Sequence, residues 1–324
     1  MISWVRTIPS LMLERMYSFR KLTLSRHSRN SSKLCGLSRF GSDMLLRLQA
    51  PPSITPKQLL LELLRVAPDP LAVRDLVAVG RLFGFEDNAV RVALARLVRR
   101  GLVASRQGRY GLTEAASHLG RWVETWREGD RRLRAWKGDW LCVLHPQGAE
   151  RTPRRRSTQA LERLRFRLGN PHLWVRPNNL RAGRGQMELE LVQLGLVDDA
   201  EVFVGQEFSS ALHEKWAHDL WPTDMIQRDL RESLAEIERS RNELDTMPDI
   251  RALVESFLVG SRALHLLALD PLLPDEICDG TARRELTEAM KEYERIGKAL
   301  WSPDLVAALL TDATNDPQPK EGNA

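Results

Sequence analysis

Between Leu71 and Thr113, two runs of apolar residues at helical spacing are separated by Gly84-Phe85-Glu86, and a short basic hairpin pattern follows. The first run places Leu71, Val73, Leu76, Val77, Val79 and Leu82 on one helical side. Gly84 suits the left-handed residue that ends a helix. Glu86 and Asp87 put negative charge at the start of the second helix, where the first backbone N–H groups lack partners. In that helix Val90, Leu94, Leu97 and Val98 form one apolar stripe toward a core. The opposite side carries Asn88, Arg91, Ala95, Arg96 and Arg99. Gly101 closes the helix, and Val103-Ala104-Ser105 and Tyr110-Gly111-Leu112 read as two strands. The tip Arg106-Gln107-Gly108-Arg109 holds two guanidiniums on a glycine-containing turn. Helix, turn, helix and basic hairpin in that order predict a winged helix-turn-helix.

Such a module points to double-stranded DNA as the partner. Arginines on the second helix can read guanine edges, and Asn88 can read adenine. Arg106 and Arg109 can hold phosphates. The competing reading of the basic helix is a solvated face on an ordinary helical domain.

Charge divides the chain. Residues 1–181 carry a net charge of +20, and residues 182–324 carry −15. A basic front and an acidic rear suggest that one end meets a polyanion while the other does something else. Residues 1–54 are Arg- and Ser-rich, contain SRHSRNSSK, and read as a disordered basic arm or as sequence ahead of a true start near Met44. Thr55-Pro56-Lys57-Gln58 opens a helix with a capping box, so residues 55–113 form the winged-helix domain. A connecting helix over 114–135 carries Trp122 and Trp126 on one face. Residues 136–206 alternate strands and helices as a ferredoxin-like α+β domain: a strand at Trp140–His145, a basic loop at Gly148–Arg156, a helix at Ser157–Leu168, a strand at His172–Arg176, a helix at Gln186–Leu194 and a strand at Glu201–Val204. Residues 207–302 are helical, with Ile226, Leu230, Leu234 and Ile237 on one stripe, and serve dimerisation or effector binding. Residues 303–324 form a disordered tail. The fold class is α+β.

Cys35, Cys142 and Cys278 are too scattered for a disulfide framework and fit a reducing, cytoplasmic compartment. No apolar run approaches the roughly 20 residues of a membrane span, so no membrane partner is expected. His213-Glu214 and His218 have the wrong spacing for a zinc-protease helix, and no metal site is expected. Gly183-Arg184-Gly185 is half a dinucleotide fingerprint that reads better as a turn. With no phosphate-loop lysine and no nucleophile elbow, nothing points to catalytic residues, a cofactor or an enzyme. An enzyme built on the middle domain stays open because that fold hosts many activities.

The segments LVAVGRLFGFEDNAVRVALARLVRRGLVASRQGRYGLTEA, WKGDWLCVL, LWVRPNNL and LDPLLPDE occur in order, and over about residues 57–300 the chain resembles the PaaX-like family, bacterial repressors of phenylacetic acid degradation. The resemblance implies a homodimeric, nucleoid-associated repressor of a catabolic operon, released by an aryl-acyl-CoA effector such as phenylacetyl-CoA. The alternative is a regulator of another pathway with a different small-molecule effector. Residues 1–50 have no counterpart in the family pattern, and Glu86 stands where a capping Ser is frequent. No family effector residue maps onto this chain; Arg154, Arg155, Arg156 and Arg176 are candidates for effector binding on charge alone.

Overall fold

The computed structural model describes residues 54–67, 69–114, 116, 125–145 and 151–301. The expected basic arm, Trp122 and the tail lie outside them. The chain divides into two compact units, Met1–Gly120 and Arg121–Ala324. With nine α-helices among the described residues and two small antiparallel sheets, the fold class is α+β.

In the first unit, α1 (Pro56–Val66) starts as expected: Thr55 accepts from the Gln58 backbone at 3.3 Å, and the Gln58 side chain accepts from the Thr55 backbone at 2.9 Å. Then come β1 (Leu71–Ala72), α2 (Val73–Leu82), α3 (Asp87–Arg99), β2 (Val103–Arg106) and β3 (Arg109–Leu112), with strand order β1-β3-β2. Leu71 was expected in the helix. It instead pairs with Tyr110, and Ala72 pairs with Arg109. Periodicity reports only local preference, and a partner strand 39 residues away overrides it here. Leu59, Leu60 and Leu63 of α1 share the core with Leu76 and Val77 of α2 and with Val90, Leu94 and Leu97 of α3.

In the second unit, β4 (Trp140–Leu144), α4 (Arg151–Arg163), β5 (Arg167–Asn170), β6 (Leu173–Pro177), α5 (Gly183–Leu194) and β7 (Glu201–Gly205) form an antiparallel sheet of order β5-β6-β4-β7. Strand β6 lies between the parallel pair β4 and β5, the arrangement of a split βαβ unit. Leu141 and Val143 of β4 face the helical side with Leu161, Met187 and Leu191. Trp140 and Cys142 face the other side with Trp216 and Trp221. Both faces are covered, which explains the unbroken apolar run WLCVL.

The expected loop over Arg154–Arg156 is instead the first half of α4. Pro153 sits in the opening turn, where a missing N–H costs nothing. Helix α4 ends before the expected Leu168. Arg165 is left-handed (φ 65°), and Leu168, 51% exposed, lies on β5, a strand that the sequence reading missed. The turn into β6 uses a left-handed His172 (φ 73°). Gly183, also left-handed, opens α5 three residues earlier than expected.

The continuous connecting helix is not observed over its described part. Thr125–Arg132 is a 3-10 segment interrupted at Gly129, φ 47°. Trp126 is buried in the core of α7 (Thr223–Leu244), α8 (Asp249–Leu269) and α9 (Thr281–Leu300), which follow α6 (Ser210–Asp219). Leu230 and Ile237 are buried in the same core, with Ile226 and Leu234 packed against it as the stripe predicts. Contrary to the reading that no run is long and apolar enough to span a membrane, α8 passes that test on length and composition, with a mean hydropathy of 1.5. Its Leu253, Val259, Ala263 and Leu267 are buried within the unit.

Candidate nucleic-acid interface

The geometry of the first unit is set where α2 meets α3. A Cβ built on Gly80 would lie 2.5 Å from Cγ2 of Val90, so only glycine allows this close crossing. Gly84 (φ 74°) ends the α2 side of the turn in the left-handed conformation. Glu86 is the N-cap of α3 but makes no side-chain cap bond. The acid used here is Asp87. Its two oxygens accept from Nε and Nη2 of Arg81, each at 2.7 Å, clasping the end of α2 to the start of α3. The Arg81 hydrogen bond is the main cause holding the Asp87 carboxyl below its ordinary range.

With Val90, Leu94 and Leu97 turned inward, 3.6-residue geometry turns Asn88, Ala95 and Arg99 outward, flanked by Arg91 and Arg96. All five are exposed, as the helical spacing predicts. Val98 is not part of the buried stripe. It is 37% exposed at the edge of the buried arc, beside a shallow groove also lined by Arg91, Ala95, Arg99, Ser105 and Tyr110. Val92 is 39% exposed on the outward face. The sequence reading passed over it; its spacing of four from Asn88 and Arg96 was the available signal. An apolar side chain there can meet a methyl group, as on thymine.

The hairpin turns through Gln107 (φ 51°) and Gly108 (φ 74°), both left-handed, as a two-residue loop matched to strand twist requires. Arg106 and Arg109 pair across its tip. Both are exposed, but they are not equivalent. Arg109 Nε donates to the Pro70 carbonyl at 2.9 Å, tying β3 to the chain ahead of β1. For the Arg106 side chain, no hydrogen bond within the protein is observed among the described residues. The face thus offers several cationic donors that can meet the acceptors of a polyanion.

The candidate effector residues lie in the second unit and are not one cluster. Arg154 and Arg155 are exposed on α4, Arg156 is half-buried, and Arg176 is buried on β6 with 4% exposure. His213 accepts from Trp140 Nε1 at 3.2 Å and stacks on Trp136, so it belongs to an aromatic cluster. His218 is exposed. Cys142 and Cys278 are buried free thiols, and burial pushes Cys142 up to about 11.

The chain is similar to the structure of uncharacterized protein Rv0674 from Mycobacterium tuberculosis, with 20% identity, a TM-score of 0.52, and coverage of 81% of this chain and 99% of the other. That likeness concerns the fold alone. No curated protein matches the chain. The later segments that carried the resemblance, from WKGDWLCVL onward, lie outside the residues matched by a family model. Residues 58–116, which hold α3 and the hairpin, match the family model described as PaaX-like protein, and in this part the chain is similar to that family.

Proposed function

We propose that the chain is a DNA-binding transcriptional regulator in which residues 55–113 form a winged helix-turn-helix. The observation that carries this is one outward face of α3, with Asn88, Arg91, Ala95, Arg96 and Arg99, beside a hairpin tipped by Arg106 and Arg109, all within the PaaX-like segment. In this reading α3 enters the major groove, Arg99 and Asn88 contact base edges, and Arg106 grips the backbone. The split βαβ sheet is a ferredoxin-like domain, and α6 to α9 form the helical domain. One reading head covers only a few base pairs. A homodimer would place two heads in successive major grooves about 34 Å apart on a near-palindromic operator.

The family resemblance further suggests a repressor of a catabolic operon, with release by an aryl-acyl-CoA that binds the DNA-free state more tightly. Selection of binding sequences from random duplex DNA tests the reading. The expected result is a two-fold-related site whose affinity collapses when Arg91, Arg96, Arg99, Arg106 and Arg109 are all replaced by Ala. Unchanged affinity in that variant would end the assignment. Titration of acyl-CoA thioesters against the bound site then tests the effector.

A further inference from the structure

Within the second unit, a cavity of about 40 Å³ lies among the 3-10 segment, the end of α4, β6, α5 and the loop after α8. It is lined by Arg132, Arg163, Arg165, Arg176 and Arg283, against only two carboxylates, Glu190 and Asp270. Asp270 and Arg283 already form a buried pair at 3.5 Å, and Asp130 binds Arg283 at 2.8 Å. That leaves Glu190 as the one other carboxylate of the lining, facing Arg132 and Arg176.

Arg176 is the centre of this imbalance. Its Nη1 donates to the Leu164 carbonyl at 2.7 Å, while Nε and Nη2 reach the Pro177 and Pro271 carbonyls only at 3.5 Å. Arg132 donates to Thr125 Oγ1 at 3.0 Å. Among the described residues, no carboxylate lies within ion-pair distance of either guanidinium. The Leu164 carbonyl just past α4 offers part of a helix-terminal negative charge, about half an elementary charge in all, which falls short of balancing a buried cation. Burial, with Arg132 and Arg165 nearby, pushes Arg176 down to about 9. Two lining residues, Arg165 and Leu272, hold the left-handed conformation (φ 65° and 52°). Leu272 is clamped there by hydrogen bonds to Asp270 and from Asn179. A buried guanidinium with no carboxylate at ion-pair distance is costly, and strained residues cluster at ligand sites.

We propose that this cavity is a binding site for one small oxyanion group, a phosphate or a carboxylate, held by Arg176 and Arg132. A water needs roughly 10–15 Å³ of such space, so the cavity admits one compact anionic group, and a larger ligand would place only its anionic end here. The planar guanidinium forks suit either anion. The site stands on cavity shape and charge in the second unit and is independent of DNA reading by the first.

Isothermal titration of the full chain with inorganic phosphate and, separately, acetate, at ionic strength matched with chloride, tests it. The expected result is saturable one-to-one binding of at least one of the two. Phosphate alone points to a phosphorylated ligand, and acetate alone to a carboxylic acid. Arg132→Gln, half-buried and expected to fold, and Arg176→Met, checked for folding by circular dichroism, should each weaken binding about tenfold or more. Arg154→Gln on the exposed face of α4 should leave it unchanged. Absence of saturable binding up to about 10 mM of either anion, or equal binding by wild type and Arg132→Gln, would overturn the proposal. Loss of DNA binding with anion binding retained would sink the regulator reading and spare this one.

Discussion

The arginines of the two units live under opposite conditions. Those of α3 and the hairpin tip stand in water, where their charge is free to meet an external anion. Those around the cavity of the second unit have lost most of their hydration, and each must find acceptors inside the protein or in a bound group. Removing an exposed arginine whose side chain bonds nothing in the protein should change binding and leave the fold alone. Removing a buried one should change the fold first.

The largest effect is expected at Arg283→Leu, which leaves Asp270 buried without its cation. Breaking such a pair costs about 3–5 kcal/mol. Eight of the nine tryptophans lie in the second unit, so tryptophan fluorescence during urea unfolding, measured with Trp4 replaced by Phe, reads that unit. A loss below about 1 kcal/mol would mean that the buried pair is not what holds α9 to the loop after α8. The same region should be acid-sensitive. Burial pushes Asp130 and Glu294 up, but bonds from Arg283 and Arg284 to Asp130, and from Arg127 and Lys298 to Glu294, outweigh it and hold both below the ordinary carboxylate range. Their stabilisation is therefore complete above that range and lost as pH falls through the lowered values.

Next in size is Gly80→Ala. The added methyl meets Val90, whose branched side chain has little rotamer freedom in a helix. A net loss of about 1–2 kcal/mol is expected after the gain in helix propensity, read as faster amide exchange in α2 and α3. Arg99→Ala should leave stability unchanged and cost roughly 1–3 kcal/mol of affinity for the selected DNA, with relaxed specificity at one position.

Smaller still, Arg106→Ala should weaken all sequences alike and reduce the salt slope by about one unit. Arg109→Ala should do the same and also lower the melting temperature of the first unit, because its bond to Pro70 is lost; equal melting temperatures for the two variants would erase the distinction drawn between them. The smallest effect belongs to Asp87→Asn, a slight melting shift that disappears at pH values below the lowered Asp87 titration, since the exposed clasp to Arg81 acts only while the carboxyl is charged.

How much of this was legible in the chain follows from the range of the forces involved. The capping box at Thr55, the left-handed Gly84, the hairpin tip and the outward face of α3 all depend on residues within a few positions of one another, so spacing alone determined them. The apolar stripe of α7 was legible for the same reason. Strand β1, strand β5 and the exposure of Val98 were not. Each depends on a partner elsewhere: β3 for Leu71, β6 for Arg167–Asn170, and the hairpin groove for Val98. The Arg154–Arg156 run drew attention because its charges are adjacent, yet it lies mostly in solvent on α4. The concentrated charge is assembled from Arg132, Arg163, Arg165 and Arg176, which come from three stretches of chain. The sequence by itself determined the outward face of α3 and the basic hairpin, because a helix face and a hairpin turn are local periodicities. Only the tertiary structure decided which arginines lose their water, because burial depends on what distant segments pack above them.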